Sequence, residues 1–288
     1  MKQLLLFFLL SIPAVAQKSF LVKDSSTNEP IAYASIFTEN GTFKVNAEPN
    51  GSFIVPNEFL HEIFVFDAVG YEVKQQLLTY VVLLKPKSEV LDEVVIVPRL
   101  GTKEIKMGKI DKKKTKLSVY DYTQKVAPLL ASKFSVENED CQFIKEIRVK
   151  VYSEKDHTKF ALKVYSTGKN GEPFELLNDE PIYCEVNKGY TVSKNDLKDF
   201  NIKIDTNSFF IAVENLNIKN NVFQVEHEGK MINFFSPSIC LNKSEYDTSW
   251  YGHLVNGKIK WIKQKYSEEY IKENKGYPNF QIEVTLTN

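Results

Sequence analysis

Residues 147–151 read Ile-Arg-Val-Lys-Val, residues 159–164 read Lys-Phe-Ala-Leu-Lys-Val, and residues 280–287 read Phe-Gln-Ile-Glu-Val-Thr-Leu-Thr. In each stretch every second side chain is large and apolar, and the side chains between are polar or small. Because successive side chains of a strand point to opposite faces of a sheet, this period of two predicts one face against a core and the other in water. The three stretches therefore predict antiparallel β-sheet.

Turn signals separate such stretches along the chain. An Asn-Gly pair is typical of a two-residue hairpin, because a type I′ turn requires positive φ at both central residues. The chain has four of these pairs: Asn40-Gly41, Asn50-Gly51, Asn170-Gly171 and Asn256-Gly257. Helical character is confined to residues 118–131, which contain Pro128, and to the short stretch 266–274. All-β is therefore the fold class that the sequence favours.

The composition is that of a globular protein of about two domains. The chain has 288 residues, of which 43% are hydrophobic and 26% charged, and domains of roughly 150 residues are common. Lysine plus arginine and aspartate plus glutamate are both 37. With no net field to attract a polyanion, nucleic acid is not an expected partner. Three cysteines are too few for a disulfide-rich scaffold.

The first residues have the organisation of a secretory signal peptide. Lys2 provides a basic start, residues 4–10 form an unbroken apolar run, and Ala14-Val15-Ala16 is typical of a cleavage site before Gln17. The run is far shorter than the roughly 20 apolar residues of a membrane span, and no later stretch approaches that length. We therefore expect residues 1–16 to be cleaved and the mature chain to be exported, to the periplasm, the outer membrane or the cell exterior, without a transmembrane span.

A run rich in lysine divides the rest of the chain. Residues 103–116 contain seven lysines and two acids, which predicts a solvated basic linker. The alternative is that this run binds phosphate groups at an anionic membrane surface. We therefore expect a first domain over residues 17–98, a linker over 99–118 and a second domain over 119–288.

Residues 17–98 contain short motifs in an order that is shared with a known family. The motifs are Phe20-Leu21-Val22-Lys23-Asp24, Pro30-Ile31-Ala32-Tyr33-Ala34-Ser35-Ile36, Glu48-Pro49-Asn50-Gly51-Ser52-Phe53, Gly70-Tyr71 and Leu91-Asp92-Glu93-Val94-Val95. This pattern resembles the carboxypeptidase-regulatory-like domain of Gram-negative envelope proteins, which also precedes the plug of many TonB-dependent receptors. The resemblance implies a transthyretin-like, seven-stranded β-sandwich. It implies no hydrolytic residues, because the family domain is an accessory of carboxypeptidases and not their catalytic part.

We do not expect the remainder of this sequence to form such a receptor. A 22-stranded barrel with about 9–11 residues per membrane strand needs roughly 200–240 residues, and only 192 follow Ile96. Residues 119–288 are instead similar to the second sandwich of short two-domain envelope proteins, through stretches such as 160–165 and 209–214. This similarity implies a larger, jelly-roll-like sandwich.

The sequence offers no pattern for a metal or a cofactor. The four histidines are far apart and show no metal-ligand spacing: His61, His157, His227 and His253. Residues 252–258 match the spacing of a phosphate-binding loop, but Ile259 stands where that loop requires a hydroxyl. The Asn-Gly pair inside this stretch predicts a hairpin tip instead.

The cysteines give no catalytic signal either. Cys184 shares a strand face with Ile182 and Val186, which favours a small buried residue. Together with Cys141 and Cys240 it makes an odd count, so at least one thiol is unpaired within the chain. We therefore expect a protein that is not an enzyme.

Three aromatic residues near one turn are the single ligand-binding feature that the sequence suggests. Trp250 and Tyr251 precede the Asn256-Gly257 turn, and Trp261 follows it. A hairpin can bring such rings to one side, where they bind sugar faces or peptides. The alternative is that the rings fill a core, as tryptophan and tyrosine also do.

The sequence therefore favours a non-catalytic, exported binding or scaffolding protein of the bacterial cell envelope, whose partner is an envelope protein or a glycan. The first alternative is a carbohydrate-binding protein that acts through Trp250, Tyr251 and Trp261. The second is a hydrolase with an unrecognised site, which requires a cleft in which two acids, or a cysteine and a histidine, converge.

Overall fold

The computed structural model describes residues 18–87, 101–111, 118–121, 129–136 and 140–288. Within these ranges the regular structure is almost entirely β-strand, so the predicted all-β class is confirmed. The predicted signal peptide at residues 1–16 and the motif at residues 91–95 lie outside the described residues.

Residues 18–87 form a sandwich of two sheets, as predicted. Its seven strands are β1 (Lys18–Asp24), β2 (Ser35–Thr38), β3 (Lys44–Asn46), β4 (Ser52–Val55), β5 (Ile63–Asp67), β6 (Lys74–Leu77) and β7 (Val81–Leu84). Sheet A has the order β4-β1-β7, and sheet B has the order β3-β2-β5-β6. Between the two sheets lies a core that includes Phe20, Val22, Phe53, Phe64, Phe66, Val82 and Leu84. A short 3-10 helix follows β4 at Asn57–Phe59.

Motif residues of this first sandwich hold its turns. The Asp24 carboxylate accepts hydrogen bonds from the backbone N–H groups of Ser26 and Thr27, and from the Tyr71 hydroxyl at 3.0 Å. Gly51 has a φ of +75°, and a Cβ there would lie 2.6 Å from the Val22 carbonyl oxygen. Only glycine therefore fits that turn without displacing β1.

The described residues from 101 onward form a second, larger sandwich. Its strands are β8 (Glu104–Gly108), β9 (Ser118–Asp121), β10 (Leu129–Ser135), β11 (Phe143–Ser153), β12 (Thr158–Thr167), β13 (Pro173–Leu176), β14 (Ile182–Val186), β15 (Gly189–Asp196), β16 (Ser208–Asn215), β17 (Val222–His227), β18 (Lys230–Ser244), β19 (Ser249–Val255), β20 (Lys258–Ile262), β21 (Tyr277–Phe280) and β22 (Ile282–Thr287). Its helices are α1 (Glu268–Asn274) and the 3-10 turns Lys198–Phe200 and Lys219–Asn221.

Two sheets make up this second sandwich. Sheet C has the order β13-β12-β16-β10-β19-β20, with β14 also paired to β12. Sheet D has the order β17-β18-β11-β22-β8, with β15 on β11 and with β9 and β21 on β18. The apolar residues of the predicted alternating stretches point between the sheets: Ile147, Val149, Val151, Phe160, Leu162, Val164, Phe280, Ile282, Val284 and Leu286. The inward face was therefore predicted correctly.

One of the two stretches with helical character is a helix and the other is not. Helix α1 begins after Ser267, whose side-chain oxygen accepts a hydrogen bond from the Tyr270 N–H. The described parts of residues 118–131 belong instead to strands β9 and β10. Strand β10 pairs with β16 on one side and β19 on the other, and this long-range pairing overrides the local helical pattern.

The predicted basic linker is in part a strand of sheet D. Strand β8 pairs with β22 along its whole length, and Ile105 and Met107 pack against the core of the second sandwich. Glu104, Lys106 and Gly108 alternate with these apolar residues, so β8 has the same period of two as the other strands. The many lysines of residues 103–116 favoured a linker in the sequence analysis. Charged side chains are, however, also common on edge strands of a sheet.

The four Asn-Gly pairs all lie in turns, but they do not all form the same turn. Only Asn256-Gly257 has positive φ at both residues, +49° and +71°, as a two-residue type I′ hairpin requires. It joins β19 to β20 with Val255 opposite Lys258. In the other three pairs only the glycine has positive φ.

The first sandwich lies against the outer face of sheet C. Phe37 and Val65 of sheet B form a buried cluster with Leu254 of β19, and Tyr33 packs against a second cluster that contains Ala161 and Leu216. The sheets are thus stacked in the order A, B, C and D.

The prediction that the outer face of β12 meets water is therefore wrong. The reason is that a neighbouring sandwich, and not solvent, covers it. Lys163, which alternates with the core residues of β12, is only 8% exposed.

Candidate functional site

The predicted aromatic site is not assembled as one platform. Trp250 and Trp261 lie on the outer face of sheet C, both half-buried, because Trp261 stands opposite Gly252 in the hairpin. Tyr251 is on the other face of the same strand, where its ring meets Phe280 at 5.7 Å. The period of two along β19 separates Trp250 from Tyr251.

The two indoles pack edge-on against neighbouring rings. Trp250 meets Phe210 with ring centroids 5.9 Å apart and an interplanar angle of 86°. Trp261 meets Tyr165 at 5.5 Å and 74°, and a Cβ on Gly252 would lie 2.9 Å from the Trp261 ring. T-shaped contacts of this kind stabilise packing. Both indoles therefore pack on the outer face of sheet C, and only part of each ring is exposed to solvent.

The cysteine side chains lie in the protein core. The three cysteines are buried and unpaired. Burial raises the pKa of Cys184 to about 12 and that of Cys240 to about 11. Both thiols therefore stay protonated at neutral pH, and a protonated thiol is a poor nucleophile. Among the described residues no group of three or more His, Cys, Asp or Glu side chains is placed to hold a metal ion.

The strongest concentration of buried charge lies between the two sandwiches. We call it the interdomain ion triad: Lys44 of β3, Lys163 of β12 and Glu214 of β16. The Glu214 carboxylate contacts the Lys44 ammonium at 2.6 Å through Oε1 and the Lys163 ammonium at 2.8 Å through Oε2. The Ser35 hydroxyl of the first sandwich donates a further hydrogen bond of 2.6 Å to Oε1. One carboxylate therefore joins both domains.

The pKa values of Glu214 and Lys163 favour their charged forms in the folded protein. Burial by itself raises the pKa of the Glu214 carboxyl, but attraction to the Lys163 and Lys44 ammonium groups outweighs it and holds that pKa well below the usual range. Burial likewise lowers the pKa of Lys163, and the Glu214 carboxylate reverses this and raises it above the usual range. Each buried charge is thus stabilised by its partners.

Backbone and side-chain hydrogen bonds surround the triad and also cross the interface. The Asn46 N–H donates to the Asn217 carbonyl at 3.2 Å, and the Asn217 N–H donates to Asn46 Oδ1 at 2.9 Å. The Tyr183 hydroxyl donates to the Ala32 carbonyl. The Gly257 N–H, at the tip of the β19–β20 hairpin, donates to the Glu39 carbonyl.

The cavity beside the triad is far too small for a substrate. Lys163, Glu214 and Asp67 are among its lining residues, and its volume is about 20 Å³, on the order of a single water site. The acids and amines that converge there are sealed between sheets B and C, so this cluster holds the domains together and does not form an open cleft.

An open depression lies instead on the outer face of sheet D. We call it the outer groove, and its lining residues are Ile110, Asp111, Arg148, Lys150, Tyr190, Thr191, Val192 and Glu283. Its volume is about 490 Å³, which is within the range of small-ligand sites. The floor comes from neighbouring strands, since Lys150 of β11 stands opposite Val192 of β15, and Arg148 stands opposite Glu283 of β22.

Fixed polar contacts shape the outer groove. The Arg148 guanidinium donates to Glu283 at 3.0 Å and has Glu146 at 3.6 Å. The wall at residues 109–111 is held to the sheet because the Lys150 ammonium donates to the Asp111 carbonyl at 2.6 Å and the Asp111 N–H donates to Gln281 Oε1. The groove is therefore a preformed feature of sheet D.

Sequence reasoning did not identify the residues of this groove. Arg148 and Lys150 were recognised only as outward residues of an alternating strand, and Tyr190 was not singled out. The missing information is register: Tyr190 stands opposite Tyr152 across β15 and β11, and no local turn signal fixes the pairing of strands so far apart in the chain.

Comparisons with solved structures yield weak matches, among them two structures of one clostridial protein. No family model matches the chain, and no curated protein is significantly similar to it. A clostridial cysteine protease, Cwp84 after propeptide cleavage, matches with a TM-score of 0.38 and 12% identity over 64% of this chain and 40% of that chain. The cysteine protease and lectin-like domains of Cwp84, a surface layer associated protein of Clostridium difficile, match with a TM-score of 0.34 and 13% identity over 59% of this chain and 35% of that chain.

In both matches this chain spans less than half of the other protein. In the part of the chain that the structure describes, none of the helices combines the length and the apolar character needed to span a bilayer.

Proposed function

We propose that the protein is an exported, non-catalytic binding or scaffolding protein of the bacterial cell envelope. The observation that carries this proposal is the interdomain ion triad. Three buried charged side chains, Lys44, Lys163 and Glu214, bind each other across the contact between the two sandwiches, where they fix one domain on the other.

The remaining chemistry is consistent with a structural and binding role. A hydrolase requires a cleft in which two acids, or a cysteine and a histidine, converge on a reacting atom. The lining residues of the outer groove include neither histidine nor cysteine. Of its two acids, Glu283 is paired with Arg148 at 3.0 Å, and Asp111 lies 3.8 Å from the Lys109 ammonium. The cysteines are core residues with raised pKa values.

Two further features support the placement in the envelope. The start of the sequence has the organisation of a signal peptide. The first sandwich has the seven strands in two sheets that a carboxypeptidase-regulatory-like domain implies, and we propose that it is a domain of that kind. On this proposal the mature chain begins at Gln17 and resides in the periplasm, on the outer membrane or outside the cell.

The proposal is tested by following the full chain in a Gram-negative host. The chain is expressed with a C-terminal tag, the cells are fractionated, and the N-terminus of the purified product is determined. We expect recovery from the envelope or the medium, a start at Gln17, and an envelope protein or glycan that copurifies after crosslinking. An uncleaved product in the cytosol would contradict export, and turnover of an ester, peptide or glycoside substrate would contradict a non-catalytic role.

A further inference from the structure

The formal charges that line the outer groove cancel. Arg148 and Lys150 provide two positive charges, and Asp111 and Glu283 provide two negative charges. Beside the groove, Lys194 pairs with Glu146 at 3.1 Å. A groove with no net charge has no electrostatic preference for an anion or a cation. It is suited to a neutral ligand that forms hydrogen bonds.

An apolar strip lies beside these charges. Tyr190 and Val192 are two residues apart on β15, so their side chains share the outer face, and they are 38% and 39% exposed. Tyr152 supports the Tyr190 ring from the neighbouring strand, with centroids 4.7 Å apart. The ring is thus held in place while part of it stays open to solvent, as a stacking surface requires.

The hydrogen-bonding groups of the groove are held in place as well. The Arg148–Glu283 pair fixes a donor next to an acceptor on adjacent strands, and the wall at Asp111 is tied to Lys150. Groups that are ordered before binding lose little conformational entropy when a ligand arrives. The outer groove therefore combines a fixed aromatic ring with fixed donors and acceptors, on a surface without net charge.

We propose that the outer groove binds a neutral saccharide, with the apolar face of a sugar ring on Tyr190 and with sugar hydroxyls on the Arg148–Glu283 pair. A neutral sugar has both features that the groove matches, an apolar ring face and a rim of hydroxyl donors and acceptors. The inference rests on the proposed function as a binding protein, and it places the ligand on sheet D and not at Trp250, Tyr251 and Trp261.

The test uses purified full-length mature protein on an array of neutral gluco-, manno-, galacto- and N-acetylglucosamine oligosaccharides, followed by calorimetry with the strongest ligand. Tyr190→Ala removes the ring, and we expect the affinity to fall at least about tenfold, as for an aromatic hot spot. Tyr190→Phe keeps the ring and should retain binding. Tyr246→Ala is the matched control, because this tyrosine of the same sandwich is 74% exposed and lies outside the groove. Thermal unfolding of each variant verifies that it is folded.

The outcomes separate this inference from the proposed function. Binding that survives Tyr190→Ala and is lost in Trp250→Ala would overturn the inference and place the site on sheet C. Absence of binding to every saccharide on the array would also overturn it. If a polypeptide partner recovered from the envelope is then lost on Tyr190→Ala, the protein is still a binding module but its ligand is a peptide. Release of reducing sugar from a bound oligosaccharide would instead contradict the non-catalytic function itself.

Discussion

Sheets C and D of the second sandwich have the same sequence pattern but opposite surroundings. On sheet C, Lys163 and Glu214 form a cross-strand ion pair at 2.8 Å whose side chains are 9% and 4% exposed. On sheet D, Arg148 and Glu283 form such a pair at 3.0 Å with 37% and 20% exposure. The first sandwich covers the pair on sheet C, and the pair on sheet D lines an open groove.

The sequence pattern of a strand carries information about its inward face but not about what covers its outward face. Alternation along a strand predicts which side chains enter the core, because the covalent geometry of a strand fixes that. It does not predict whether the outward face meets water or a second domain. The ion pair on sheet C is therefore buried in the contact between the domains, whereas the ion pair on sheet D is partly exposed. Loss of one partner should lower the free energy of unfolding much more on sheet C than on sheet D.

Removing the carboxylate of the buried triad should have the greatest effect. Glu214→Ala leaves Lys44 and Lys163 buried next to each other without a counter-charge, and breaking a buried ion pair in this way typically destabilises a protein by about 3–5 kcal/mol. Urea unfolding at pH 7, monitored by circular dichroism, measures the change in the free energy of unfolding.

The control replaces the whole triad. The triple variant Lys44→Met, Lys163→Met and Glu214→Leu removes all three charges, and exchange of a complete buried ion network for apolar residues is often neutral or stabilising. It should be more stable than Glu214→Ala. A Glu214→Ala variant as stable as the wild type would show that the triad is not sealed between the sandwiches.

The contribution of the triad to stability should depend on pH at both extremes and not in the neutral range. The pKa of Glu214 is lower in the folded than in the unfolded protein, so its contribution is complete above the unfolded value of about 4.3 and is lost as the pH falls below it. The pKa of Lys163 is raised on folding, so its contribution is complete below about 10.4 and is lost above that value. From about pH 5 to pH 10 the contribution of the triad should be constant.

The measurement compares wild type with Glu214→Gln by urea unfolding at pH 7 and at pH 3.5. The difference between their free energies of unfolding should narrow at the lower pH, because the carboxyl group of the unfolded wild type binds a proton there while the folded carboxylate stays ionised. An equal difference at both pH values would argue against a carboxylate whose pKa is depressed by folding.

A smaller effect is expected at the hairpin that touches the first sandwich. Gly257 has a φ of +71°, and a Cβ there would lie 3.2 Å from a methyl group of Val65. Gly257→Ala places an L-residue in the left-handed region, which costs roughly 1–2 kcal/mol, and it crowds the interface. Thermal unfolding measures the loss, and Gly229→Ala is the control, since its φ is also positive but nothing lies within 4 Å. Equal losses in both variants would indicate that the interface contributes nothing at this position.

The smallest effect is expected for the open pair of sheet D. Glu283→Ala removes the partner of Arg148, which still has Glu146 nearby. Partly exposed ion pairs contribute about 0–1 kcal/mol, so the free energy of unfolding should change little, and most of any change should vanish in 1 M salt because charges at the surface are screened. If Glu283→Ala lowered the free energy of unfolding as much as Glu214→Ala does, the ion pair on sheet D could not be a partly exposed surface pair.

Much of the fold could be predicted from local patterns. The inward residues Phe160, Leu162 and Val164 follow from alternation, and helix α1 lies within the short stretch 266–274 whose sequence has helical character. The sequence also allows a prediction of which face of the hairpin each of the three aromatic residues lies on. Trp250 and Tyr251 are adjacent on one strand, so they must face opposite ways. Counting back from the two-residue turn at Asn256-Gly257 pairs Gly252 with Trp261.

The rest depended on contacts between distant parts of the chain. Nothing near Lys163 in the sequence shows that Lys44 and Ser35 approach the same carboxylate, because the packing of one domain on another leaves no periodic signal. Strand β8 was assigned to a linker because it lies within residues 103–116, which contain seven lysines. The outer groove required the register of β15 on β11, which only the tertiary fold supplies.

The most direct test of the contact between the sandwiches uses the two tryptophans of the chain, both of which lie on sheet C. Their fluorescence reports the second sandwich alone, while far-UV circular dichroism reports both. If the triad joins the sandwiches into one cooperative unit, urea unfolding should give a single transition with the same midpoint by both probes. Two separate transitions by circular dichroism, only one of which coincides with the fluorescence change, would show that the two sandwiches unfold independently and would contradict a single cooperative unit.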